Sequence, residues 1–175
     1  MEKPEISKWT DKKLKNPENV FSNVPISISG VLKKKRIVFL KNTTKEDALS
    51  ELAHVLASAP QIHSQEDLME HIYKREVLMS TGIGLGIAIP HVRLNTVDDI
   101  VMALGVCKKP LIDYESLDDI PIKIICMIAA HTDKHVRYIK LLSTISKVLK
   151  DEETRSRIIN SNSKDEIISL FMGDK

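Results

Sequence analysis

Two stretches of the chain are almost continuously apolar, Ile100–Cys107 and Ile122–Ala130. Runs of this kind suit strands that are buried on both faces. A shorter run rich in β-branched residues, Ile37-Val38-Phe39-Leu40, predicts a further strand. Elsewhere the apolar positions recur at helical spacing. Ala48, Leu49, Leu52, Ala53, Val55 and Leu56 form one stripe, closed before Pro60. Its start is marked by Thr43 with Glu46, or by Thr44 with Asp47. Ser64 with Asp67 opens a second helix, which runs through Leu68 and Ile72 to Arg75 or Glu76. Thr132-Asp133 caps a long helix with a stripe of Val136, Ile139, Leu142, Ile145, Val148 and Leu149. A short helix starts near Asp151, and Ser163 with Glu166 opens a last one carrying Ile167, Ile168, Leu170 and Phe171. The order of strand, two helices, several strands and three helices predicts an α/β fold with helices on both faces of one sheet.

The remaining segments set the organisation. Pro110, Asp113, Asp118, Asp119 and Pro121 make the link between the two long strands rich in turns. Residues 1–27 read as a flexible N-terminal tail that holds Trp9, and residues 28–175 as one domain. Lys33-Lys34-Lys35-Arg36 reads as a solvated loop. A chain of 175 residues suits a single domain. Its 26 Lys+Arg against 24 Asp+Glu leave a net charge of +2, and aromatics are 4%. That balance argues against nucleic acid as a partner. No run approaches the length of a membrane-spanning helix, and no apolar leader follows Met1. The expectation is a cytoplasmic protein without membrane insertion. Cys107 and Cys126 lie in apolar runs and read as buried thiols, not as a disulfide or a metal pair. The sequon Asn42-Thr43-Thr44 is accounted for by the helix start.

Candidate chemistry clusters between residues 75 and 135. The spacing Gly82-x-Gly84-x-Gly86 is neither a dinucleotide fingerprint nor a P-loop. Alternate glycines allow close backbone approach to a ligand, or simply a tight turn. His91 follows Pro90 where an apolar strand ends, and an imidazole is neutral enough near pH 7 to act on phosphate or metal. His135 falls at the N-terminus of the long helix, where N–H groups and the helix dipole favour anions. Arg75 ends the second helix, and its guanidinium suits a phosphoryl group. His131 is a weaker neighbour, and His54, His63 and His71 read as structural or solvated. His131 and His135 have a zinc-ligand spacing, but Thr132 stands where the usual glutamate would. A histidine-based zinc protein is therefore the weakest reading.

The stretch Arg75-Glu76-Val77-Leu78-Met79-Ser80-Thr81-Gly82-Ile83-Gly84-Leu85-Gly86-Ile87-Ala88-Ile89-Pro90-His91 resembles the signature of the enzyme IIA proteins of the sugar phosphotransferase system, in the fructose/mannitol/nitrogen-regulatory family. The resemblance runs through Ile128-Ala129-Ala130 to His135 and covers residues 28 to 172. It implies a three-layer α/β/α sandwich with a mixed sheet. It implies His91 as phosphoryl acceptor, charged by the phosphohistidine of HPr and discharged to a IIB partner. Arg75 would hold the phosphate, His135 would donate to it or orient His91, and Ser80, Thr81, Gly82, Gly84 and Gly86 would form a phosphate loop. No cofactor and no metal enter this scheme. The alternative is a freestanding, nitrogen-type regulator whose phosphorylation state controls a target protein. Two positions depart from the family: Leu85 stands where Asn is common, and Val92 where a small residue is common. Both are expected to alter the rim of the site.

Overall fold

The structure, a computed structural model, describes residues 27–173. The expected tail over residues 1–27, Trp9 included, therefore lies almost wholly outside the described residues. In chain order the elements are α1 (Ile28–Val31), β1 (Leu32–Leu40), α2 (Lys45–Ala57), α3 (Gln65–Leu78), β2 (Gly82–Gly84), β3 (Ile87–Ala88), β4 (His91–Arg93), β5 (Val101–Leu111), β6 (Ile122–Ala130), a 3-10 turn (Thr132–Lys134), α4 (His135–Lys150), α5 (Glu152–Asn160) and α6 (Lys164–Met172).

β5 and β6 pair antiparallel at the centre of one sheet. β1 runs parallel to β5 on one side. On the other side β3 and then β4 run parallel to β6, and β2 folds back antiparallel on β3. The sheet is mixed, as expected. Because side chains alternate along a strand, β5 and β6 feed two cores. Met102, Leu104, Val106, Ile124, Cys126 and Ile128 pack beneath α1, α4, α5 and α6. Val101, Ala103, Cys107, Ile125, Met127 and Ala129 pack beneath α2 and α3. These are the three layers. They also put the two cysteines on opposite faces of the sheet, each unpaired, and burial pushes both thiols up to about 12.

The capping residues are where the sequence puts them for three helices. Thr44, Ser64 and Ser163 accept from the backbone N–H groups of Asp47, Asp67 and Glu166. Of the two candidates at the start of α2, the structure uses Thr44. α3 runs on to Leu78, beyond the expected end at Arg75 or Glu76. α4 differs more. It starts at His135 behind a 3-10 turn, and that turn is capped by the His131 side chain, not by Thr132. Its buried stripe is Tyr138, Leu141, Ile145 and Leu149, while Ile139 is exposed. The expected stripe runs through Ile139; the buried one runs through Tyr138 instead, whose ring faces His91.

The basic run is the main correction. Residues 33–36 belong to β1 instead of forming a solvated loop. Lys33, Lys34 and Lys35 are exposed, but Arg36 is buried at 2% exposure. Register explains why. From Leu32 to Ile37 the strand advances five positions while its partner β5 advances two, Met102 to Leu104. Such a bulge leaves carbonyls without ladder partners. Arg36 spans the gap, donating from Nε to the Met102 carbonyl of β5 (3.0 Å) and from Nη2 to the Val31 carbonyl at the end of α1 (2.9 Å). β5 also runs through Lys108, Lys109 and Pro110, which the sequence placed in a turn; a register shift against β6 accommodates them. Among the described residues no helix is long and apolar enough to cross a membrane.

Arg36→Met keeps the aliphatic stem but removes both donors. We expect it to lower unfolding stability by about 1–3 kcal/mol, read from urea denaturation. An unchanged midpoint would show that water or the neighbouring backbone satisfies these carbonyls.

Candidate active site

The site is built around an interruption. β3 and β4 both pair with β6, Ala88 facing Ile125 and His91 facing Ile128, with Ile89-Pro90 between them. Pro90 has no N–H to give, although its carbonyl accepts from Ile128 N at 2.9 Å. The Ile89 carbonyl turns instead to the His91 ring, 2.7 Å from Nδ1. A carbonyl only accepts, so the proton is on Nδ1 and the free lone pair is on Nε2. His91 thus begins a short strand, where the sequence placed it at a strand end. It is half-buried, and burial is the largest cause lowering its pKa below the ordinary value. Arg75 and Arg93 push the same way, while the Ile89 carbonyl and Glu76 oppose. The result is an imidazole kept neutral at pH 7.

Two further elements converge on it. β6 ends at Ala130 beside Arg93, and the chain turns at once into α4, which puts His135 at the same end of the sheet. Arg93 Nη1 donates to His135 Nδ1 at 3.0 Å. The Tyr138 ring, one turn into α4, lies 5.9 Å from the His91 ring at a 48° tilt, and 5.9 Å from Arg93 Cζ. Arg75 comes from the last turn of α3 and donates to the Met79 carbonyl at 2.9 Å. His91, His135, Arg75 and Arg93 line one open cavity of about 710 Å³. No Asp or Glu among the described residues lines it. Among the described residues neither Arg75 nor Arg93 has a carboxylate within ion-pair distance. The site is therefore cationic, uncompensated and organised around a neutral base.

The glycine segment divides. Ser80, Thr81 and Gly82 border a second cavity of about 310 Å³ that His91 also lines. Gly84 and Gly86 line neither cavity; they form the β2–β3 turn at positive φ, packed against Asp118 and Pro121. Gly82 is required by proximity, since a Cβ there would come within 2.2 Å of the Glu115 carbonyl oxygen. Thr81 is buried and already committed. Its Oγ1 and N donate to the Glu76 carboxylate at 2.6 Å and 3.1 Å, and its carbonyl accepts from Ile89 N at 3.0 Å. Lys45 Nζ completes the Glu76 shell at 2.9 Å, and the Tyr114 hydroxyl stands 2.8 Å from Thr81 Oγ1. The buried carboxylate thus ties α2 and α3, through Thr81, to Ile89 in the link between β3 and β4, and Ile89 holds the His91 ring.

The other histidines serve local structure. His54 contacts the Ser50 carbonyl, His63 meets Asp98, and His71 meets Asp67 although it also lines the large cavity. His131 Nδ1 accepts from Asp133 N, so each histidine of the zinc-like pair has its Nδ1 engaged with a protein donor. Among the described residues no three His, Cys, Asp or Glu side chains gather as a metal-binding group. The sequence did not single out Arg93, Glu76 or Tyr138. The i, i+2 relation of His91 to Arg93 was the available signal, but it needed β4 to be known as a strand.

The model of the phosphoenolpyruvate-dependent sugar phosphotransferase system EIIA 2 family matches residues 30–173. The chain belongs to this family. The fructose-specific EIIABC component of Bacillus subtilis is 36% identical over 132 residues, 75% of this chain, and the chain spans only 21% of that protein's length. A nitrogen regulatory protein of Bradyrhizobium diazoefficiens is 30% identical over 134 residues, 75% of this chain and 85% of that protein. Among solved structures, the complex of the mannitol IIA enzyme with phosphorylated mannitol IIB enzyme from Escherichia coli matches at a TM-score of 0.70 and 23% identity. It covers 81% of this chain and 97% of that one, and shows the shared fold.

Within this EIIA domain the two departures behave differently. Leu85 takes the left-handed conformation (φ 57°) in the β2–β3 turn, where its N–H donates to Asp118 Oδ2 at 2.7 Å. It lines neither cavity, so the expected change of rim does not occur there. Val92 does border the large cavity, but it is buried in the core beneath α2 and α3.

Glu76 gives a pH-dependent prediction. Burial alone would raise its carboxyl, but hydrogen bonds from Thr81 and Lys45 outweigh that and hold it below its ordinary value. A depressed folded pKa means its contribution is complete above the unfolded value of about 4.3 and is lost as pH falls through the folded value. We expect Glu76→Gln to cost about 1–3 kcal/mol at pH 7, with a deficit against wild type that shrinks below about pH 4. A deficit that stays constant into acid, by urea denaturation, would contradict this.

Proposed function

We propose that this EIIA domain accepts a phosphoryl group on His91 Nε2 from the phosphohistidine of HPr and passes it to a IIB partner. The observation that carries the reading is an imidazole whose Nδ1 is engaged by the Ile89 carbonyl, in a cavity lined by two guanidiniums and, among the described residues, by no carboxylate. Phosphoryl transfer needs in-line positioning and charge compensation more than covalent machinery. In the forward step the Nε2 lone pair attacks phosphorus. The N–P bond to the donor imidazole breaks, and its electron pair leaves with the donor. Arg75 offsets negative charge on the phosphoryl group that arrives. His135 contributes a donor to the phosphoryl oxygens. Ser80, Thr81 and Gly82 shape the adjoining wall, and Gly84 and Gly86 act through the turn.

The surroundings favour a protein as donor. Leu78, Met79 and Leu117 are exposed at 81%, 70% and 85%, and each lines a cavity that His91 also lines. Apolar side chains in that position fit a partner surface better than a sugar. A second reading is favoured by the nitrogen regulatory relative, most of whose length this chain matches. In that reading the same phosphohistidine is a signal that changes affinity for a target protein. A carrier discharges rapidly to IIB, whereas a regulator keeps its phosphate and changes partner.

Incubation with phosphoenolpyruvate, enzyme I and HPr tests the acceptor by mass. We expect an acid-labile phosphate on wild type, none on His91→Ala, and labelling slowed at least about tenfold in Arg75→Ala, all with unchanged melting. Equal labelling of His91→Ala would refute the assignment. An NMR titration of the His91 ring should show a midpoint below the ordinary value of about 6.5. A midpoint above that value would remove the neutral acceptor from the scheme.

A further inference from the structure

We propose that Arg93 is a positioning residue that fixes His135 as an Nε2–H donor toward the phosphoryl group on His91. The proposal rests on the phosphocarrier reading for its consequence, but the tautomer it assigns stands on geometry alone. A guanidinium has only donors. The 3.0 Å contact from Arg93 Nη1 to His135 Nδ1 therefore leaves Nδ1 as acceptor and the ring proton on Nε2. His135 lines the cavity with His91, so Nε2–H is the hydrogen-bonding group it has left to offer there.

The arrangement is supported on three sides. Arg93 follows His91 by two residues in β4, which puts both side chains on one face, while the intervening Val92 is buried on the other. The Tyr138 ring, three residues along α4 from His135, lies within reach of the guanidinium and backs it. No carboxylate pairs with Arg93 among the described residues, so nothing draws it away from the imidazole. The two histidines then carry opposite tautomers imposed by opposite partners. A carbonyl holds the proton on Nδ1 of His91, and a guanidinium excludes it from Nδ1 of His135. The nucleophile and the donor to its phosphate are assigned before any phosphate arrives, which is the meaning of preorganisation.

Nitrogen-15 NMR of the full, unphosphorylated chain reads the tautomer directly. We expect wild type and Arg93→Lys to show an unprotonated Nδ1 on His135, and Arg93→Ala to show a mixture of tautomers. An unchanged His135 spectrum in Arg93→Ala overturns the proposal. Transfer from phosphorylated HPr supplies the second arm. Arg93→Ala should lower the rate about tenfold or more, and the Arg93→Ala/His135→Ala double variant should be no slower than His135→Ala alone. Additive losses would mean that Arg93 acts on the phosphate directly and not through His135, which also overturns it. A wild-type protein that takes no phosphate would defeat the carrier reading, and the tautomer comparison would still decide the role of Arg93.

Discussion

The antiparallel pairing of β5 with β6, buried from both sides, is the constraint to which the other elements answer. Two strands with apolar side chains on both faces need helices above and below. α2 and α3 close one face, and α1, α4, α5 and α6 the other. The free edge of β6 then takes β3 and β4, and its C-terminal end is where α4 begins. Arg93, His91 and His135 meet because one strand carries two of them to the point where its neighbour turns into a helix.

At that point backbone chemistry does the work that a more elaborate site would give to side chains. Pro90 breaks the ladder, the Ile89 carbonyl is turned to the His91 ring, and the ring nitrogens become unequal. Glu76 lies behind this arrangement as a buried anion, well supplied with donors, and its link through Thr81 to Ile89 N anchors the residue whose carbonyl holds the His91 ring. The cavity in front holds the opposite charge, with no carboxylate lining it among the described residues. The separation is electrostatically sensible. The carboxylate is spent on holding the scaffold, so it does not neutralise the guanidiniums that an incoming phosphate needs.

Much of this was legible in the residues. Helices with Ser or Thr caps and long apolar strands announce themselves, and Arg75, the glycine segment and Pro90-His91 carry a resemblance specific enough to name a family. What escaped was set by tertiary context. β2, β3 and β4 are two or three residues each, too short for any periodicity. Arg93 could not be paired with His91 without them. Arg36 looked solvated beside three lysines because a bulge in β1 cannot be read from charge. Tyr138 was missed on α4 because the apolar stripe was drawn through Ile139, which is exposed. Leu85 lies within the motif, yet the turn carries it away from both cavities.

The bulge in β1 has a consequence for how copies of this protein meet. Among the described residues β1 has one ladder partner, β5, and its other side is an open edge. Open edges invite strands from neighbouring molecules, the first step of sheet-to-sheet aggregation. Here Lys33, Lys34 and Lys35 are exposed along that edge, and the bulge twists it out of register. A second chain approaching in extended form would meet these lysines, Lys33 bonded to the Ser29 carbonyl and Lys34 paired with Asp165, on a kinked backbone. This open border is guarded by the residues that read, in sequence, as a solvated loop.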